Sequence, residues 1–430
     1  MTLKIPLENS SFNLDVSGIA GFFGGEESFA AMSSVHLVRG RRWLGWYNSP
    51  GSYYVAKKYG VLAKSRVWDG LYPGVNVDPT TMLELDGKVG PRYVAAHSGT
   101  RMEKTGHLAY LLASHYSDLE VDQVIPGPSA KSEAHITIAS LEEFKEFEGY
   151  PKLPADHLSP FDPIATVPIA FSVGASVMCA IFGDWYCFAM IILGVVCNGV
   201  SCFVIGSGVL KIKQPNPSPH SPPGDGVLFN APGSRVILLK GSEKIISSIT
   251  RGRFFLEYKS QSQYHDIGYS SVALTMQFLL QLFIVPQGQL FGQIMFLSSL
   301  GVSWIFNAYL ASVDREDLQK RILMRVLLQK PTFRTVALPK WTSLVVFAAV
   351  YLQAKPEGTR GLLEQLIPND TAVWRLVKSA VVEAVERNKD PSEVVAERNL
   401  DHLDNQERGL LEDMMKQASI GYNAGNDFKL

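Results

Sequence analysis

Charge is missing from two long stretches of this 430-residue chain. Between Asp162 and Lys211 lie 48 residues whose one charged side chain is Asp184, and between Asp266 and Asp314 lie 47 with none. A bilayer core about 30 Å thick takes about 20 apolar helical residues to cross. Each stretch is twice that length. Each is also broken near its middle, by Phe182-Gly183-Asp184-Trp185-Tyr186 in the first and Pro286-Gln287-Gly288-Gln289 in the second. Pro and Gly supply tight turns, Trp and Tyr suit an interface, and Asp184 is expected in water. The pattern predicts two helical hairpins, with spans at 164–181, 185–210, 269–285 and 290–312. Buried hairpins of a large soluble core are the alternative, and the length of the charge-free runs argues against them.

A fifth apolar run, 341–354, is only 14 residues long. That length favours a buried or interfacial helix over a span. Before it, Leu318, Ile322, Val326 and Leu327 recur at helical spacing opposite Lys320, Arg321 and Arg325. Such a basic amphipathic helix suits either an anionic leaflet or the protein's own surface. The connectors after the two hairpins, 211–266 and 314–340, each carry a net charge of +4, which places both in the cytosol. With no signal peptide visible near Met1, both termini are expected there too. The sequons at Asn9 and Asn369 would then be silent.

The fold class expected is an α-helical polytopic membrane protein of two transmembrane helical hairpins (162–210 and 268–313). Around them stand a small cytosolic α+β region (1–161), a Pro-rich linker and β-rich cytosolic connector (211–267), the basic amphipathic helix and short hydrophobic segment (314–360), and a helical C-terminal tail (361–430). In the first region, 34–44 and 52–56 read as strands, 107–116 as a helix, 135–138 as a strand and 141–148 as a helix. In the connector, 227–229, 235–239, 244–249 and 254–258 have strand-like β-branched and aromatic content, with Gly233 and Gly241 as turn signals. These strands form either a unit of their own or part of the N-terminal sheet. The tail, with net charge −4 from Trp341 onward, is expected to dock on the basic segments.

A net charge of −1 excludes a general nucleic-acid binder. No phosphate loop, nucleophile elbow or His-Glu-x-x-His motif is present, so no catalytic, cofactor or metal residue is assigned. Arg39, Arg41 and Arg42 beside Trp43, Trp46 and Tyr47 form the most basic aromatic patch, suited to a phosphate or to a solvated strand pair. Cys179, Cys187, Cys197 and Cys202 all fall in the first hairpin, where they act as small apolar residues.

The sharper chemistry lies in the apolar runs. Gly194, Asn198, Cys202 and Gly206 stand four apart, a face of small residues with one amide. Such a face lets a neighbour approach closely, within the hairpin or in a homo-oligomer. Gln277 and Gln281, then Gln293, Ser299, Ser303 and Asn307, mark the second hairpin. They read as inter-helix hydrogen bonds, or as the polar lining of a transporter or channel subunit. Against the latter stand the absence of an ionisable group in the spans and of a helix broken near the midplane.

The segments Gly233-Ser234-Arg235-Val236-Ile237-Leu238-Leu239-Lys240-Gly241-Ser242-Glu243 and Ile249-Thr250-Arg251-Gly252-Arg253-Phe254-Phe255-Leu256-Glu257, followed by a hairpin, resemble multi-pass proteins of mushroom-forming fungi to which no activity is assigned. That resemblance implies a membrane protein and carries no functional residues. The function expected is that of a non-enzymatic membrane-anchored scaffold, with the bilayer and cytosolic proteins as partners. A transporter or channel subunit is the second expectation. A membrane-bound enzyme with a site built from scattered residues is the third.

Overall fold

The computed structural model describes residues 6–7, 23–38, 40–74, 77–116, 119–127, 134–141, 161–230, 235–259, 263–328, 331–400 and 403–428. The helix expected at 141–148, the Asn9 sequon, Arg39 and Gly233 lie wholly or mostly outside them. The chain folds as two compact units, each built from three separated stretches: 1–86, 147–211 and 254–322 in the first, and 87–146, 212–253 and 323–430 in the second. The six consecutive segments read from composition are thus interleaved. Long-range contacts, which composition does not record, group them.

The first unit is helical. Helices α1 (Gly25–Ser33) and α2 (Ser52–Gly60) precede α3 (Phe161–Ile181), α4 (Trp185–Ile205), α5 (His265–Ile284) and α6 (Leu290–Ala311). The last four are long and apolar enough to cross a membrane. Helix α4 packs on α3 and α5, and α6 packs on α3 and α4. The span expected to run to 210 stops at Ile205, and strand β5 (Val209–Lys213) follows.

Asp184 is not in water. It is 2% exposed and N-caps α4, where its carboxylate accepts the Cys187 N–H at 3.0 Å. Its second oxygen accepts the Gln289 N–H at 2.8 Å, at the start of α6. One side chain therefore ties together the turns of both hairpins. Two backbone donors replace the water that a carboxylate otherwise needs.

The strands read at 34–44 and 52–56 are corrected. Residues Ser34–His36 and Arg41–Trp43 form short 3-10 turns, and 52–56 begins α2. In α2 the buried residues are Ser52, Val55, Ala56 and Tyr59. That is helical spacing, which outweighs the aromatic and β-branched content of so short a run. Residues 244–249 are corrected for the same reason. They lie in a helix, Glu243–Arg251, that buries Ile245, Ile246 and Ile249.

The second unit is a mixed sheet between helical layers. Strands β1 (Arg92–Ala95), β2 (Arg101–Met102), β3 (Gln123–Val124), β4 (Ala134–Ser140), β6 (Gly226–Phe229), β7 (Val236–Lys240) and β9 (Thr332–Leu338) lie in the order β2-β1-β6-β7-β4-β9-β3. Strand β4 lies inside the sheet, with Ile136 opposite Val236 of parallel β7 and Val336 of antiparallel β9. The connector strands therefore complete the N-terminal sheet. A separate two-stranded ribbon joins β5 to β8 (Arg253–Glu257).

Alternate residues on one face, among them Ile136, Ile138, Val236, Leu238 and Val336, share a core with the C-terminal helices. Helix Trp341–Tyr351 sits within that core, with Leu344 to Val350 at 2% exposure or less. A helix apolar all round is stable only when covered on every side, and here α-helix Asn405–Asp427 and the sheet cover it. The tail does dock, but through Val377, Val381, Leu411 and Met415 rather than through its charge. The expected amphipathic helix is Arg315–Arg321 followed by a π-helical stretch, Ile322–Leu327. Leu318 and Ile322 are buried, so the protein covers that apolar side itself. Lys320 and Arg321 pair with Glu316 and Asp317 one turn earlier.

Candidate functional site

The segment between α1 and α2 enters the four apolar helices of the first unit, and the small-residue face of α4 receives it. A methyl group added at Gly206 would strike Arg42, one at Gly199 would strike Trp46, and one at Gly194 would strike the Asn48 amide. Gly45 in turn lies on Cys202. Residues 42–48 thus run along α4 from its C-terminal end to its midpoint. Asn48 marks the depth reached: its N–H donates to Ser172 Oγ at 3.0 Å and its Nδ2 to Ser299 Oγ at 2.8 Å. Ser172, Gly194 and Ser299 each stand near the middle of their helix.

There the chain turns. Gly51, at φ 71°, starts α2, which climbs back along α5, where the Ser271 hydroxyl donates to the Ala56 carbonyl at 3.0 Å. Gly24, at φ 67°, starts α1 beside Trp304 of α6. Only glycine takes such backbone angles without strain. The two half-length helices begin side by side, since a methyl group on Gly51 would collide with the Gly25 backbone. Their N-terminal dipoles both point into the middle of the bundle. Glu26 and Glu27 complement the first turn of α1, whereas α2 has no acidic residue there.

A directed chain of hydrogen bonds joins these parts. Arg41 Nη2 donates to Tyr47 Oη at 3.1 Å, and Tyr47 donates to Asn307 Oδ1 at 2.7 Å. Asn307 Nδ2 donates to Ser28 Oγ at 2.9 Å and Ser49 Oγ at 3.0 Å, and Ser28 donates to the Pro50 carbonyl at 2.9 Å. Asn198 Nδ2 holds the Gly45 and Tyr47 carbonyls at 2.7 and 3.3 Å. Gln281 donates to the Met190 carbonyl at 3.1 Å and accepts from Gln277 at 3.3 Å.

Several buried polar atoms have no partner among the described residues: Arg41 Nε, Asn48 Oδ1, Ser52 Oγ, Tyr59 Oη, Ser201 Oγ, Gln277 Oε1 and Ser303 Oγ. Each costs about 1–3 kcal/mol if left dry. Arg41 is the extreme case. It is 1% exposed, touches Cys202 Sγ at 3.8 Å and lies over the Phe306 ring, and among the described residues no carboxylate pairs with it. At the mouth of the segment, His36 is fully buried between the Gly208 carbonyl, 3.2 Å from Nδ1, and the Tyr258 hydroxyl, 3.5 Å from Nε2. Burial lowers its pKa from 6.5 to about 4, against the opposing pull of the Gly208 carbonyl.

The structure brings six of the seven sequence-predicted positions, Gly194, Asn198, Cys202, Gly206, Gln281 and Asn307, around the inserted segment, and Gln277 joins them through Gln281. The α4 face is occupied by residues 42–48 of this chain itself. Arg41 and Tyr47 were read only as part of a basic aromatic patch, suited to a phosphate or to a solvated strand pair, and Ser28, Asn48 and Ser49 were not singled out. They sit in a stretch of ordinary polar composition, and the one signal was the glycine pairs Gly24-Gly25 and Gly45, Gly51 flanking them. Beside the four apolar helices, residues 24–60 add a buried ionisable side chain, Arg41, and two short helices. Among the described residues no three His, Cys, Asp or Glu side chains gather as a metal site. Comparisons with protein-family models, curated proteins and solved structures return no match.

Proposed function

We propose that the first unit is embedded in a bilayer as four spans with a re-entrant pair of half-helices, and that it passes small polar solutes. The observation that carries this reading is the turn at Asn48–Gly51 in the middle of the apolar bundle, with hydrogen-bonding atoms left unpartnered around it. Irregular backbone at membrane depth is tolerated only where protein buries it or where it lines a water-filled path. Paired half-helix N-termini at mid-depth are a general device for holding a solute there. Glu26, exposed at the start of α1, adds support, since a carboxylate at that depth needs water or a partner. The scaffold expectation draws no comparable support, because no feature of the second unit specifies a partner.

The test is osmotic. Proteoliposomes of the full chain, challenged with urea or glycerol, should shrink and recover faster than protein-free liposomes. Asn48→Leu and Asn307→Leu should lower that rate about tenfold, the worth of one or two buried hydrogen bonds. Equal rates with and without protein would reject the reading.

A further inference from the structure

We propose that Arg41 is the fixed charge of a binding site for a small monovalent anion within the first unit. The inference deepens the polar-path reading and rests on it. A guanidinium offers five N–H donors and stays charged under all ordinary conditions. Here one donor meets a tyrosine oxygen, one meets a thiol sulfur, and the Nε–H meets nothing. A buried charge is kept only where something compensates it, and no acidic side chain among the described residues does so here. Tyr59, on α2 of the same unit, is fully buried, and its hydroxyl is also without a partner among the described residues. The first unit therefore buries two donors without a partner among the described residues, one of them on a cation.

That set calls for an acceptor carrying one negative charge. The ligand must also be small, because Tyr47, Cys202 and Phe306 already crowd the guanidinium. The direction of the chain from Arg41 through Tyr47 and Asn307 to Ser28 and Ser49 suits the same ligand. It leaves the Arg41 end rich in donors, and it extends the site towards the N-terminus of α2, which has no acidic residue in its first turn. Glu26 and Glu27 are the competing fixed charges, and cation passage would be their signature.

The full chain in liposomes is tested with chloride, using an internal chloride-quenched dye with valinomycin to balance charge, and in parallel with potassium, urea and glycerol. Chloride is expected to enter about tenfold faster than potassium, and Arg41→Gln to slow it by a similar factor, as for loss of a charged hydrogen-bonding partner. Arg41→Lys, which keeps the charge, should retain part of the rate, and Tyr59→Phe should weaken chloride dependence without abolishing passage. Passage of urea or glycerol without chloride would overturn the anion site and leave the path standing. Preference for potassium would overturn it in favour of the glutamates. No passage of any solute would remove both readings. Should Arg41→Gln fail to fold, unchanged chloride rates in both Arg41→Lys and Tyr59→Phe would overturn the proposal.

Discussion

Single side chains set the character of the first unit. Arg41, Asn48 and Asn307 are ordinary polar residues in sequence, and each is buried to 1% exposure or less. His36 shows what such burial does to a titratable group. Its pKa in the folded protein lies near 4, below the 6.5 of an open chain, so the unfolded state takes up the proton first. Its contribution to stability is therefore complete above about pH 6.5 and is lost as pH falls towards 4, a total of roughly 3 kcal/mol. Thermal midpoints of the detergent-purified protein should drop between pH 7 and pH 4.5, and His36→Gln should flatten that slope. Equal slopes in both proteins would exclude His36 as the sensor.

Elements meet where glycine allows it. The two hairpins could have been independent, but Asp184 accepts hydrogen bonds from Cys187 and Gln289 and so couples their turns. Gly288 and Gly292 of the second hairpin lie against its carboxylate, and a methyl group at Gly292 would occupy the carboxylate's place. Gly292→Ala should therefore destabilise the protein by about 1–3 kcal/mol through overpacking and loss of the cap. A guanidinium unfolding curve of the purified protein would show this as a lower midpoint. An unchanged midpoint would mean that the turns are not coupled. The alternation of glycine with larger residues along α4 works in the same way, except that its guest is an extended segment rather than a helix.

For the whole molecule, the turns of both apolar hairpins stand together in the first unit, joined by Asp184. Because Ser343 to Val350 of the helix Trp341–Tyr351 are buried inside the second unit, its central turns have no face left for lipid. In sealed microsomes, tags at the N-terminus and C-terminus should both be digested without detergent, and Asn369 should remain unglycosylated. Protection of the C-terminal tag alone would mean that the short helix crosses after all.

The sequence by itself determined the four long apolar helices, their hairpin breaks, the short helix at 341, the tail's helical faces and the small-residue stripe on α4. Each of these is a local property: a run without charge, or a spacing of three and four. Only the tertiary structure decided what fills that stripe, which strands share a sheet, and how the chain divides into two interleaved units. Residues 24–60 illustrate the reason. Their composition is close to that of the whole chain and marks no apolar run, and short aromatic runs such as Tyr53-Tyr54-Val55 suit strand and helix alike. What buries them is Ser172, Gly194, Ser299 and Asn307, more than 100 positions away. Sequence periodicity reports the face that a residue occupies on its own element, whereas the partner of that face is fixed by contacts the local pattern does not encode.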